Sequence, residues 1–193
     1  MRLHWFGTVV LSAIGCVLAL LPTIEAAPGS EKPAFKFNAV DYFHRWSQGT
    51  QHEFTPRDQE DLEKWADMIT LNGYPDAVEA DALAAKANAV LENYKNHKAR
   101  VLKTNSTPRT ADRPAEHLIA VVFGRPEFIE VAFARFKIID GQGCSIVYSH
   151  RIYGEKIGDQ MSAWLSENGQ KIEGALMQWG AIPSPKSFTA ERL

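Results

Sequence analysis

Cysteine is nearly absent from this chain, which has two, Cys16 and Cys144. Cys16 falls in an apolar leader, so Cys144 is the only thiol behind it and no internal disulfide can form there. A disulfide scaffold is excluded, and so is a Cys-x-x-Cys zinc or redox motif. Charge of one sign is lacking as well. The 21 Lys+Arg against 23 Asp+Glu leave a formal net charge of −2, which exerts no global pull toward nucleic acid. The short basic stretch from Lys95 to Lys103 reads as a solvated helix end. Long apolar runs are missing except for Phe6 to Leu21, which is shorter than the roughly 20 residues a spanning helix needs.

Motifs are sparse too. No Gly-x-x-x-x-Gly-Lys-Ser/Thr occurs, and no Gly-x-Gly-x-x-Gly follows a strand, so those phosphate cradles are absent. Gly-x-Ser-x-Gly is missing, which removes the usual pointer to an α/β-hydrolase. His44, His52, His97, His117 and His150 are scattered without His-x-x-x-His or His-Glu-x-x-His spacing. The sequence therefore announces neither a cofactor nor a metal. Asn105-Ser106-Thr107 fits a glycosylation sequon that matters only in a eukaryotic host.

What remains is ordinary globular material, 45% hydrophobic and 23% charged. Residues 1–26 read as an export signal: Arg2 begins it, the apolar run follows, and Pro22 to Ala26 closes it with small residues near a cut after Ala26. This places the mature protein in a periplasm or outside the cell, with no transmembrane segment. A competing reading takes Ala13-Ile14-Gly15-Cys16 as a lipoprotein box with Cys16 lipidated. Against it, Val17 to Leu21 prolongs the apolar run beyond the cysteine.

Residues 27–34 form a polar linker, 35–180 a single domain, and 181–193 an irregular tail with two prolines and no period. The aromatic stretch Phe35 to Phe54 has no clean period and suggests an irregular arm or short strands at one edge. Thr55-Pro56 followed by Leu62, Trp65, Ala66 and Ile69 has the cap and spacing of a helix, whereas Met68 to Tyr74 is β-branched and alternating; residues 58–72 thus stay open, leaning to strand in the second half. A firm amphipathic helix covers about 77–98, where Leu83, Ala87, Val90, Leu91 and Tyr94 share one side of a 3.6-residue wheel. A short strand at Val101 to Thr104 leads into a loop from Asn105 to Pro114. His117 to Phe123 is an unbroken apolar run, expected to be a central strand buried on both faces.

Asp140-Gly141-Gln142-Gly143 between two β-rich runs marks a hairpin over about 130–154. A second amphipathic helix covers about 159–179, with Asp159 as its cap and Gly169 as a point of weakness or bend. The fold class is α+β: an antiparallel sheet carrying this hairpin, with both helices on one face. The Trp164, Leu165 and Leu176 stripe is expected to dock on the face holding Ala132 and Ala134.

Pairing Asp140 with Gly143 puts Arg135, Tyr148 and His150 together on the hairpin's other face, Arg135 directly across from Tyr148. These three can bind an anion or move a proton and form the candidate site. Cys144 shares their face. Six positions of strand, about 20 Å, hold it away from His150, so a protonated, inaccessible thiol is expected. The reading is an exported binding or interaction module for a protein or small molecule, with no nucleic-acid partner. Its rivals are a small hydrolase or transferase using Arg135, Tyr148 and His150, and an envelope lipoprotein.

Overall fold

The computed structural model describes residues 32–188, and the expected export signal, the alternative Cys16 box, most of the expected linker and the last five residues of the tail lie outside that range. The described residues from Pro33 on form one compact unit. Its strands are β1 (Phe35–Phe37), β2 (Val40–Gln48), β3 (Gln51–Pro56), β4 (Asp67–Tyr74), β5 (Arg100–Thr107), β6 (Glu116–Gly124), β7 (Phe128–Ile139) and β8 (Gln142–Tyr153). Helix α1 (Ala80–Asn96) lies between β4 and β5, α2 (Ile157–Gln178) follows β8, and a short 3-10 turn spans Pro185–Phe188. The fold is α+β. All eight strands join one antiparallel sheet in the order β1-β2-β3-β4-β8-β7-β6-β5.

The β7–β8 hairpin turns on Asp140 and Gly141, whose φ values of 48° and 74° are those of a two-residue turn for which Asp-Gly is the favoured dipeptide. Ile139 therefore pairs with Gln142, two positions away from the register that an Asp140–Gly143 pair implies. A shift of two preserves which side chains share a face and changes only who stands opposite whom. Arg135 faces Ile146, and Tyr148 faces Phe133.

The helices occupy opposite faces of the sheet, not one. Leu83 and Ala87 of α1 pack with Ile119, Val121, Ala132, Ala134 and Phe136. Met161, Ile172 and Leu176 of α2 pack with Leu118, Ala120, Phe133, Ile146 and Tyr148. Small side chains do admit a helix at Ala132 and Ala134, but the helix is α1, where a β-carbon on Gly143 would meet that of Ala77 at 2.8 Å. On the bulkier face, Gly169 of α2 is buried over Phe133 within an unbroken helix, so it marks no bend. The helix begins after Lys156, which holds a left-handed φ of 53°, and Asp159 falls in its first turn.

Other differences have local causes. Thr55-Pro56 ends a strand instead of opening a helix; the following turns are held by Thr55 Oγ1, which donates to the Gln59 carbonyl, and by Gln59 Oε1, which accepts from the Ala66 and Asp67 amides. The apolar spacing there reflects Trp65 burying itself beneath Arg151, not a helix face. Phe35 to Phe54 resolves into β1, β2 and β3 at one edge, and β5 runs on to Thr107 before the loop. Strand β6 is buried on both faces as its apolar run requires, although it lies next to the edge strand β5. Within the described part of the tail, the 3-10 turn sets the Phe188 ring on Phe54 at 4.8 Å.

Candidate functional site

The site lies where β4 meets β8. Asp67 pairs directly with His150, and Tyr148, two positions along β8, projects from the same face. Asp67 Oδ1 accepts a bond from the Tyr148 hydroxyl at 2.5 Å and another from His150 Nδ1 at 2.9 Å. Trp164 of α2 covers the group, its ring parallel to His150 at 4.1 Å and to Tyr148 at 6.4 Å.

Burial alone would raise the Asp67 carboxyl. The bonds from His150 and Tyr148, with the charge of His150, more than offset it and hold the group below the usual aspartate range. Burial, with the Asp67 charge beside it, pushes the Tyr148 phenol well above its ordinary value. An ionised Asp67 can only accept, so His150 carries a proton on Nδ1 and keeps Nε2 out of this bond. The His150 side chain is 13% exposed and that of Asp67 29%, which leaves a shallow site, not a sealed cavity.

Arg135 is elsewhere engaged. Its fork takes Glu116 through Nε at 2.8 Å and Nη2 at 3.0 Å, while Nη1 donates to the carbonyls of Leu176 and Trp179 at the end of α2. That is a buried helix cap and ion pair, which anchors α2 to the sheet. The sequence places all three residues on one face correctly, but the geometry brings together only Tyr148 and His150.

Asp67 and Trp164 are the members that sequence reasoning misses. Asp67 sits in the stretch left open between helix and strand, so its position opposite His150 has no local signal. Trp164 carries the helical spacing of a core residue, and only the placement of α2 on this face turns it toward His150.

Cys144 is buried, donates weakly to the Gln142 carbonyl at 3.7 Å, and has its thiol pushed up to about 11 by burial. His117 points to the other face of the sheet, since it pairs through Phe136 toward Ser145, and it bonds Ser106 Oγ at 2.9 Å. The two do not meet. Among the described residues no group of three or more His, Cys, Asp or Glu side chains gathers in metal-binding range. No helix of the described residues is long and apolar enough to cross a membrane.

Sheet order and helix placement define an α+β protein with an eight-stranded antiparallel sheet and one helix on each face. The chain belongs to a protein family whose model matches residues 28–179, a span that contains every strand and both long helices. No curated protein matches it. Among solved structures it is similar to the crystal structure of the Saccharomyces cerevisiae Ran-binding protein Mog1p, with 11% identity, a TM-score of 0.46, and 71% of this chain and 82% of that one covered. It is also similar to human STARD10, with 10% identity, a TM-score of 0.29, and coverage of 72% and 74%. Neither likeness bears on what this chain does.

Proposed function

We propose that this protein is an exported binding or interaction module whose partner contacts the Trp164–His150 surface at the β4–β8 seam. The observation that carries this reading is the fixed imidazole: Asp67 holds His150 from one side and Trp164 stacks on its face. A ring so held needs little further ordering when a partner binds, so each new contact costs less entropy. His150 offers Nε2 to a hydrogen-bonding partner, and the flat indole beside it offers area for a planar or apolar group. The shallow surface suits a protein segment or a small molecule. Export rests on the leader at residues 1–26, and N-terminal sequencing of exported protein, expected to begin at Ala27, tests it; a chain beginning at lipidated Cys16 would make it an envelope lipoprotein.

One observation favours a second reading. An imidazole oriented by a carboxylate is also the arrangement of a general base, so a small hydrolase or transferase could use His150 with Tyr148 beside it. One experiment separates the two. The protein is screened by NMR against a library of peptides and small polar and aromatic compounds, and the same samples are followed for turnover of ester, amide and phosphate compounds. For a binding module, hits move the Trp164 indole and His150 ring signals and are lost in Trp164→Ala, with every compound intact. Turnover abolished by His150→Gln would establish the enzyme, and hits that leave both rings unmoved would place the binding surface elsewhere.

A further inference from the structure

The β2–β3 hairpin carries a second polar cluster remote in sequence from the seam. His44 Nε2 lies 2.7 Å from Ser47 Oγ, and the same oxygen lies 2.6 Å from His52 Nδ1. Residues three apart on a regular strand point to opposite faces. Here they share one, because the register slips between His44 and Trp46. Bulges of this kind re-aim a side chain and concentrate beside functional sites. His52 stands directly opposite Ser47 on β3.

We propose that His44 Nε2, His52 Nδ1 and the Ser47 hydroxyl form a binding site for a single divalent transition-metal ion of the zinc or copper kind, with water completing its shell. This goes beyond the binding reading of the seam and does not depend on it.

Three features support the assignment. The ring centroids of His44 and His52 are 6.1 Å apart. Two imidazoles bound to one ion at zinc–nitrogen distance each have their centroid about 3.2 Å from it, and so stand at most about 6.4 Å apart. His44 is exposed on its strand, and a small rotation of its side chain would close the angle.

The second feature is the tautomer of His52. Its other nitrogen, Nε2, is buried with no partner at hydrogen-bond geometry, and the acceptor whose influence it feels is the Pro185 carbonyl. A metal-bound histidine commonly directs its second N–H at such a carbonyl. Placing the proton on Nε2 leaves Nδ1 for the ion and gives the buried nitrogen an N–H to aim at Pro185.

The third feature is the surround. Phe188 lies 5.7 Å from both imidazoles and Phe54 5.1 Å from His44, an apolar wall that limits water. Neutral nitrogen ligands select zinc or copper over magnesium or calcium, which want several oxygens.

The test is titration of the metal-free full chain with Zn(II), followed by calorimetry and by the histidine ring signals in NMR. One ion per chain is expected, moving the His44 and His52 signals together and leaving those of His97 and His150 in place, with no response to Mg(II). His44→Ala alters an exposed side chain and should weaken binding at least about tenfold, which is about 1.4 kcal/mol; His44→Asn serves as a second variant if the first is unstable. Equal affinity in the His44 variants, or an equal response to Mg(II), overturns the site. So does labelling of Ser47 by a fluorophosphonate that depends on His52 in metal-free protein, since it would make the hydroxyl a nucleophile instead.

Discussion

Asp67 is stabilised in its charged form by bonds that exist only when β4 and β8 are paired. Its carboxyl titrates below the ordinary value of 3.8, so its contribution to stability is present above that value and disappears as pH falls through the lowered one. Asp67→Asn should therefore cost more at pH 7 than near pH 3, as read from urea midpoints of both proteins; an equal loss at the two values would mean that the charge is not what matters. Cys144 tests burial from the opposite direction. With its thiol pushed up to about 11, native protein should react slowly with a thiol reagent at neutral pH and promptly in urea. Cys144→Ser should cost about 1–3 kcal/mol, the range for placing a hydroxyl in a buried site. Rapid native labelling that persists in acid would reverse that account. Alternation along the strand is enough to read which residues share the Cys144 face. That the Arg135 fork ends on Glu116 and the α2 carbonyls has no such signal, because its partners lie 19 to 44 positions away.

Helix α2 shows how far an apolar period reaches. It reveals the element and its inward stripe, yet the three positions expected to anchor it divide on inspection: Leu176 is fully buried, while Trp164 and Leu165 are only half-buried. Leu176→Ala should cost about 2–5 kcal/mol and Leu165→Ala clearly less, measured by urea unfolding. A reversed order would overturn the observed docking of the helix. Gly169→Ala is the converse case. The added carbon would meet Leu165 Cδ2 at 3.6 Å and Phe133 Cζ at 3.9 Å, both ordinary contacts, so better helix propensity should prevail and raise stability by up to about 1 kcal/mol. The period cannot choose a face of the sheet. Both faces of β7 and β8 present apolar residues, and the deciding feature, room at Gly143 for the segment leading into α1, depends on strands that are distant in sequence.

For the whole molecule, what proves legible is part of what neighbours in sequence make with one another: the β7–β8 hairpin, the two long helices, the α+β class. What stays hidden is the join. Strands β1 to β4 form one meander and β5 to β8 another, and the sheet closes only where β4 meets β8. The bonds to Asp67 across that join link residues 81 and 83 positions apart, so nothing local could have announced them. The same topology imposes a timetable. Hairpins close short loops, whereas the β4–β8 ladder must bear the entropy of a long one before its contacts reward it. Refolding followed by pulsed hydrogen exchange should protect amides flanking the Asp140-Gly141 turn before those of Asp67 to Tyr74 that bond to β8, with Trp164 emission reaching its native value only in the later phase. Simultaneous protection would place the join in the folding nucleus. If the join is late, the Asp67–His150 pair is the last part of the molecule to be completed, and a chain still unfinished on its way through folding cannot engage a partner there before it has been fully made.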